Sequence, residues 1–156
     1  ENGGGGGGGG DVGSGSEEGD GVGSRCWMTY GSLVYFPFGV VSTPPSFPPD
    51  IVRNTKYRKF EWISSHLRSA KYKLWRNLPE HVFKGPHQEY LEMTIDMAIM
   101  FGMLELAAGR VCVVSKTMYV YNMANSINDF RVNEAHQLAL ERYIRNQTTL
   151  RPLLWW

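Results

Sequence analysis

The hydrophobic positions of this chain first indicate two helices. Residues 94–108 are apolar on almost every side of a helix, which predicts a central, buried helix with Thr94 as its cap. Gly109 follows at the position where such a helix ends. Residues 133–146 predict a second, amphipathic helix, because apolar side chains recur there at helical spacing: Ala135, Leu138, Ala139, Tyr143 and Ile144.

Short runs of β-branched and aromatic residues predict strands before and between these helices. The runs are residues 26–38, broken by Gly31, and residues 111–114 and 118–121. The alternation of Phe60, Trp62 and Ser64 with Glu61 and Ile63 also permits a strand over residues 60–68. A short helix is expected over residues 69–78, and Pro79 would end it. Residues 42–50 and 79–88 read as loops, and residues 125–129 as a polar turn. Strands mixed with helices predict an α/β fold, with a mixed sheet flanked by helices.

The first 24 residues differ in composition from the rest of the chain. They hold 13 of the 18 glycines, which predicts a disordered, Gly-rich linker over 1–24 and a folded part over 25–156. Five of the 15 acids lie in this segment and none of the 16 Lys and Arg residues does, so the folded part carries 16 bases and 10 acids. This modest excess suits a sugar nucleotide, an acidic glycan or nucleic acid equally well.

Few signals bear on the compartment. Cys26 and Cys112 do not indicate a disulfide framework or a metal knuckle, and they slightly favour a reducing compartment such as the cytoplasm. The chain begins at Glu1 without an initiator Met, and its first residues do not resemble a signal peptide. We therefore expect the chain to lie inside a longer polypeptide. The apolar stretch 95–108 is shorter than the roughly 20 residues that cross a bilayer, and no membrane span is predicted.

Five residues stand out as candidates for chemistry. Asp96 lies in the first turn of the predicted central helix, where a carboxylate near the helix dipole can accept a proton from an attacking hydroxyl. His66 and Arg68 are two residues apart, so on a strand they would share a face and could contact phosphate or a hydroxyl. Trp62 and Tyr121 offer aromatic faces on which a sugar ring can stack.

Each candidate also has a purely structural interpretation. Asp in a first helical turn is common for stability alone, and a single His is more often structural than a ligand. Aromatic residues at this density usually fill a core, which is expected of Tyr72, Trp75 and Tyr119. No metal site is predicted, since His66 has no partner at a ligand spacing. The basic, aromatic residues 56–76 suit nucleic acid, but no accompanying motif supports that interpretation.

Several of these residues, taken in order, resemble a known family. The segments are Met28-Thr29-Tyr30-Gly31, Tyr57-Arg58, Trp62, Ser65-His66-Leu67-Arg68, Asp96-Met97-Ala98-Ile99-Met100, Met103-Leu104-Glu105 and Tyr119-Val120-Tyr121-Asn122. Together they resemble the C-terminal, acceptor-side half of glycosyltransferases of the family-two type. The resemblance spans about residues 27–144, and its His-Leu-Arg and Tyr-Val-Tyr-Asn segments are the most specific.

The resemblance implies a partial GT-A fold and an inverting transfer of sugar from a nucleotide-sugar donor to a glycan or other hydroxyl acceptor. It implies that Asp96 is the general base, and that His66 and Arg68 lie near the donor phosphates or the acceptor. A divalent metal, Mn²⁺ or Mg²⁺, is expected in the complete enzyme. Its ligands would lie outside this chain, which has no Asp-x-Asp motif, and Ile95 replaces the second acid usual before the helix aspartate.

The chain is therefore expected to be inactive without a missing N-terminal, nucleotide-binding half. Such a half-domain would leave a sheet edge unpaired and would be poorly soluble or self-associating. One alternative is a noncatalytic interaction module on the same scaffold, favoured by the Gly-rich segment and the apolar tail 153–156. A nucleic-acid-binding domain using residues 56–76 is the less favoured alternative.

Overall fold

A mixed sheet with helices packed around it forms the described part of the chain. The structure, a computed structural model, describes residues 25–127 and 133–153. The strands are β1 (Met28–Phe36), β2 (Val40–Ser42), β3 (Ser69–Ala70) and β4 (Val111–Asn122). The helices are α1 (Pro49–Arg53), α2 (Tyr72–Arg76), α3 (Ile95–Ala107) and α4 (Glu134–Asn146), with 3₁₀ turns at Tyr57–Lys59 and Glu80–Phe83. The predicted α/β class, with its mixed sheet flanked by helices, is confirmed.

Strand β1 is the centre of this sheet. It pairs antiparallel with β2 and β3 and parallel with β4 along its whole length. The register with β4 shifts between Gly31 and Leu33, where β4 accommodates extra residues. The two strands predicted over 111–114 and 118–121 are therefore the two halves of one irregular strand.

Helix α3 is the buried centre of the fold, as the sequence predicts. Almost every residue from Met97 to Ala107 is buried, because the sheet, α2, α4 and both 3₁₀ turns pack around it. Its first-turn geometry differs from the expectation, since the Thr94 side chain makes no capping hydrogen bond. Thr94 has a left-handed backbone, φ 55°, and its hydroxyl donates to the Met93 carbonyl instead. No helix of the described segments is long and apolar enough to span a membrane.

One local prediction is wrong, and two hold only in part. Residues 60–68 do not form a strand. The segment runs irregularly over α3, and the neighbours Ile63 and Ser64 are both buried, so buried and exposed positions do not alternate there. The proline-rich stretch 42–50 is not entirely loop, since Pro49 begins α1, where its fixed φ and missing N–H suit a first helical position. The helix expected over 69–78 is confined to α2, which follows β3.

Three predicted segments lie outside the described residues: the linker 1–24, residues 128–129 of the turn and the tail residues 154–156.

The second amphipathic helix, expected over 133–146, is present as α4. Asn133 caps it by accepting a hydrogen bond from the His136 N–H at 3.1 Å.

The two cysteines form a disulfide, contrary to the sequence expectation. Cys26 precedes β1 and Cys112 lies in β4, and their separation of 86 positions leaves no local sign of the pairing in the sequence. Parallel pairing of the two strands brings the cysteines together, since Met28 lies opposite Val111 and Thr29 opposite Cys112. The disulfide alone does not identify a compartment, so the cytoplasmic expectation stays a prediction.

A buried ion pair joins several elements of the fold. Arg58, 3% exposed, donates from Nε and Nη2 to the two carboxylate oxygens of Glu105, which is fully buried, at 2.6 and 3.0 Å. Arg58 Nη1 also donates to the Ile144 carbonyl at 2.7 Å, and the Leu150 N–H donates to Glu105 Oε2 at 3.0 Å. The pair thus connects a 3₁₀ turn, α3, the end of α4 and the C-terminal segment.

We predict that Glu105→Leu or Arg58→Met alone lowers the free energy of unfolding by about 3–5 kcal/mol, because either leaves a buried charge unpaired. The double variant should lose much less than the sum of the two, since it removes both charges. It still leaves the Ile144 carbonyl and the Leu150 N–H without their present partners. Urea denaturation of the three variants measures these values.

Glu80→Gln is the control, because it breaks the pair of the exposed Glu80 with Lys84 at the surface. That change should cost under about 1 kcal/mol. Single variants at Arg58 and Glu105 that cost no more than this control would contradict a structural role for the buried pair.

Candidate functional site

One cavity brings together all the residues that the sequence singles out. Its volume is about 710 Å³, within the range of small-molecule sites. The candidate residues Trp62, His66, Arg68, Asp96 and Tyr121 all line it. They come from three segments that are far apart in the chain, so their convergence is a property of the fold.

Each wall of the cavity is supplied by a different element. Leu33 and Tyr35 face it from β1, two residues apart on the same side of the strand. The irregular segment that follows the first 3₁₀ turn contributes Trp62, His66 and Arg68. The start of α3, the end of β4 and one side of α4 contribute Thr94, Asp96, Met97, Tyr121, Gln137 and Glu141, and the hairpin between β1 and β2 adds Phe38 and Val40.

Arg68 is held by three different contacts. Its Nε donates to the Ser64 carbonyl at 2.8 Å, and its Nη1 donates to Asp96 Oδ2 at 2.8 Å. Its guanidinium carbon lies 5.4 Å from the centre of the Trp62 ring, within cation–π distance. These contacts fix the guanidinium against the start of α3, so Arg68 orients Asp96.

Asp96 lies in the first turn of α3, at the positive end of the helix dipole. Its side chain is 52% exposed, and Arg68 occupies only one of its two oxygens. Within the described residues, nothing donates a hydrogen bond to Oδ1. The carboxylate can therefore accept a hydrogen bond or a proton from a molecule in the cavity while Arg68 holds its orientation.

His66 is stacked on an aromatic neighbour. The centre of its ring lies 4.6 Å from the ring centre of Tyr119, at an interplanar angle of 17°, and 6.0 Å from the ring centre of Tyr121. Burial lowers the pKa of His66, the Arg68 charge lowers it further, and Asp96 partly opposes both effects. A neutral imidazole is thus favoured at pH 7, and no described residue hydrogen-bonds either ring nitrogen. His66 has the properties of a hydrogen-bonding group for a polar ligand.

The aromatic side chains of the cavity differ in their roles. Trp62 is half-buried and packs edge-on against Phe101 at 5.4 Å, and Tyr121 packs edge-on against Tyr35 at 5.9 Å. Both present part of their surface to the cavity. Tyr72 and Trp75, expected in the core, are instead 73% and 48% exposed on α2, so that expectation is wrong.

Sequence reasoning missed Tyr35, Gln137 and Glu141. The alternation of β1 was a usable signal for Tyr35, because Leu33 and Tyr35 fall on one face of a strand. No sequence signal distinguishes Glu141, whose carboxylate accepts from Arg145 Nε at 2.8 Å within α4. Glu141 adds a second carboxylate to the cavity.

The described residues do not form a metal site. In segments 25–127 and 133–153, no group of three or more His, Cys, Asp or Glu side chains is arranged to hold a metal ion. Both cysteines are in the disulfide, and one oxygen of Asp96 is taken by Arg68. These residues therefore do not fit the divalent metal that the resemblance implies.

Comparison with protein-family models, with curated proteins and with solved structures finds no match to this chain. Its function must therefore be inferred from the site itself.

We predict that the NMR-measured pKa of His66 lies below the usual value of about 6.5. It should rise in Arg68→Gln, which removes a repelling charge, and fall in Asp96→Asn, which removes an attracting one. Because the folded-state pKa is the lower one, His66 should destabilise the fold as pH falls below about 6.5, and the loss should level off below the folded-state pKa.

Glu92→Gln is the control for this titration, because Glu92 is exposed and is not among the groups that shift His66. It should leave the His66 pKa unchanged. If Arg68→Gln and Asp96→Asn moved the pKa in the same direction, or not at all, their charges would not act on His66 as the geometry implies.

Proposed function

We propose that this chain is the acceptor-side part of an inverting sugar transferase, with Asp96 as the general base. The observation that carries the proposal is the convergence of Trp62, His66, Arg68, Asp96 and Tyr121 on one cavity. Nucleotide-binding groups would come from a further, N-terminal part of the enzyme. The expected Mn²⁺ or Mg²⁺ would have its ligands there.

The cavity has the chemistry that a glycan acceptor needs. Aromatic surfaces at Tyr35, Trp62 and Tyr121 suit the apolar faces of sugar rings, and carboxylates at Asp96 and Glu141 suit their hydroxyl groups. Its volume of about 710 Å³ accommodates a small oligosaccharide segment. The partner on this side would be a glycan or another hydroxyl acceptor.

In the proposed reaction, an acceptor hydroxyl binds beside Asp96 and donates a hydrogen bond to Oδ1. As its oxygen attacks the anomeric carbon of the donor sugar from the opposite side, its proton passes to Asp96. The bond from the anomeric carbon to the donor phosphate breaks, and its electron pair leaves with the nucleotide. Attack opposite the leaving group inverts the anomeric centre.

A noncatalytic interaction module is the second candidate, and one observation favours it. Large apolar side chains are exposed on the sheet and its hairpin: Phe36, Phe38, Val40, Val41, Met118 and Val120. An apolar surface of this kind is typical of protein contacts. The predicted apolar tail contributes less, since Leu153 is half-buried and its N–H donates to the Leu106 carbonyl at 3.0 Å.

Nucleic-acid binding has less support, because the basic residues of segment 56–76 do not act as one surface. Arg58 is buried with Glu105, and Arg68 is paired with Asp96. The remaining cations of the segment are divided between the end near α4, where Lys59 contacts Asn146, and the region around α2.

We predict that neutral oligosaccharides bind the cavity and that Trp62→Ala weakens this binding at least tenfold, since a stacked aromatic face is lost. Saturation-transfer NMR with an oligosaccharide panel measures the binding. Trp75→Ala is the matched control, because Trp75 is also partly exposed but lies outside the cavity. Equal losses in both variants would argue against the cavity as the glycan site.

We predict that Asp96→Asn lowers the rate of sugar transfer about 10²–10⁴-fold while oligosaccharide binding persists, because the amide cannot accept the proton. The assay uses a panel of nucleotide sugars with Mn²⁺ or Mg²⁺ and a protein that contains both halves. Glu92→Gln serves as the control for loss of a nearby exposed carboxylate. Transfer at the unchanged rate in Asp96→Asn would remove Asp96 from the mechanism, and absence of any transfer would favour the interaction module.

A further inference from the structure

The side of α4 that faces the cavity carries two polar residues that take no part in the proposed proton transfer. Gln137 and Glu141 both line the cavity, and they lie four positions apart. Residues at this spacing are neighbours on one face of a helix, with Cβ atoms about 5–6 Å apart. Leu140 and Ile144, on the adjoining stripe, are buried in the core and fix the rotation of the helix. This packing directs Gln137 and Glu141 toward the cavity.

Glu141 is held in place by a well-fixed partner. Arg145 Nε donates to Glu141 Oε1 at 2.8 Å. Arg145 Nη1 donates to the backbone carbonyls of Arg58 and Phe60, at 3.0 and 2.7 Å. These hydrogen bonds restrict the guanidinium, so Arg145 orients the Glu141 carboxylate.

The two residues retain hydrogen-bonding capacity for a ligand. In segments 25–127 and 133–153, nothing donates to Glu141 Oε2, and the side-chain amide of Gln137 bonds to no other residue. The carboxylate oxygen can only accept, whereas the amide both donates and accepts. Together they match hydroxyl groups, each of which donates one hydrogen bond and accepts others.

The same cavity disfavours an anionic ligand. A ligand carboxylate cannot donate to Glu141 Oε2 or to Asp96 Oδ1, and it would place like charges side by side. Arg145 does not line the cavity, so a ligand contacts the Glu141 carboxylate and not the guanidinium that holds it. Arg68 does line the cavity, but it is already paired with Asp96. The cavity therefore favours ligands that are rich in hydrogen-bond donors.

We propose that Gln137 and Glu141 bind the acceptor sugar through two adjacent free hydroxyl groups and select a neutral glycan over one that contains uronic acid. This inference rests on the proposed function, since a glycan acceptor must occupy the cavity. Asp96 receives the proton in that reaction, and α4 supplies the groups that position the sugar. Glu141 is then a specificity residue and not a second base. The acidic glycan that the overall charge permits is thereby disfavoured.

Saturation-transfer NMR on the full chain tests this proposal with maltotriose, cellotriose and mannotriose, and with the same trisaccharides oxidised to uronic acids. Glu141→Gln keeps an acceptor oxygen for Arg145 and should preserve the fold. It should weaken binding of a neutral trisaccharide about tenfold, because a hydrogen bond to a charged group is lost. It should strengthen binding of the acidic counterpart, because a repelling charge is removed. Gln137→Ala should weaken the neutral trisaccharide about threefold, since a neutral hydrogen bond is lost.

Glu134→Gln is the matched control, because it makes the same change at an exposed position of α4 outside the cavity. It should leave both affinities in place. Neutral binding that neither Glu141→Gln nor Gln137→Ala weakens would overturn the inference, although the cavity would remain a glycan site. Equal losses of neutral and acidic sugars in Glu141→Gln would also overturn it, because they would indicate a structural effect. If no trisaccharide bound the unaltered chain, the proposed glycan acceptor would fall together with this inference.

Discussion

The buried pair of Arg58 and Glu105 is the interaction on which the arrangement of this fold depends. It is the one place described where a 3₁₀ turn, α3, the end of α4 and the C-terminal segment are hydrogen-bonded to the same two side chains. Two charges removed from water need close pairing and additional hydrogen bonds, so the pair restricts the relative positions of these elements. Because α3 carries Asp96 and α4 carries Glu141, the pair connects the two helices that supply these carboxylates to the cavity.

The sequence could predict those parts of the fold that depend on local periodicity. Helices α3 and α4 follow from apolar spacing, and β1 and β4 follow from β-branched and aromatic runs. The same logic failed over residues 60–68, where alternation suggested a strand but Ile63 and Ser64 are buried side by side. Tertiary packing against α3 decides the conformation of that segment, and periodicity carries no information about it.

The residue types of the candidate site could be predicted from the sequence, but the contacts between these residues could not. Asp96, His66 and Arg68 could be named from residue type and local position, yet the Arg68–Asp96 contact joins residues 28 positions apart. The disulfide is a stronger example, because its 86-residue separation becomes contact only through the parallel pairing of β1 with β4. A property that arises from strand register has no signature in the sequence of either strand alone.

The cations of this protein are stabilised in two different ways, with different consequences for its surface. Arg58 and Arg68 pair with carboxylates, so each pair is nearly neutral at a distance. Lys73 and Arg110 lie on the faces of an indole, whose quadrupole attracts them without cancelling their charge. Segment 56–76 is basic along its whole length in the sequence. In the fold it is divided between paired arginines, Arg58 and Arg68, and lysines that lie near α4 and near Trp27.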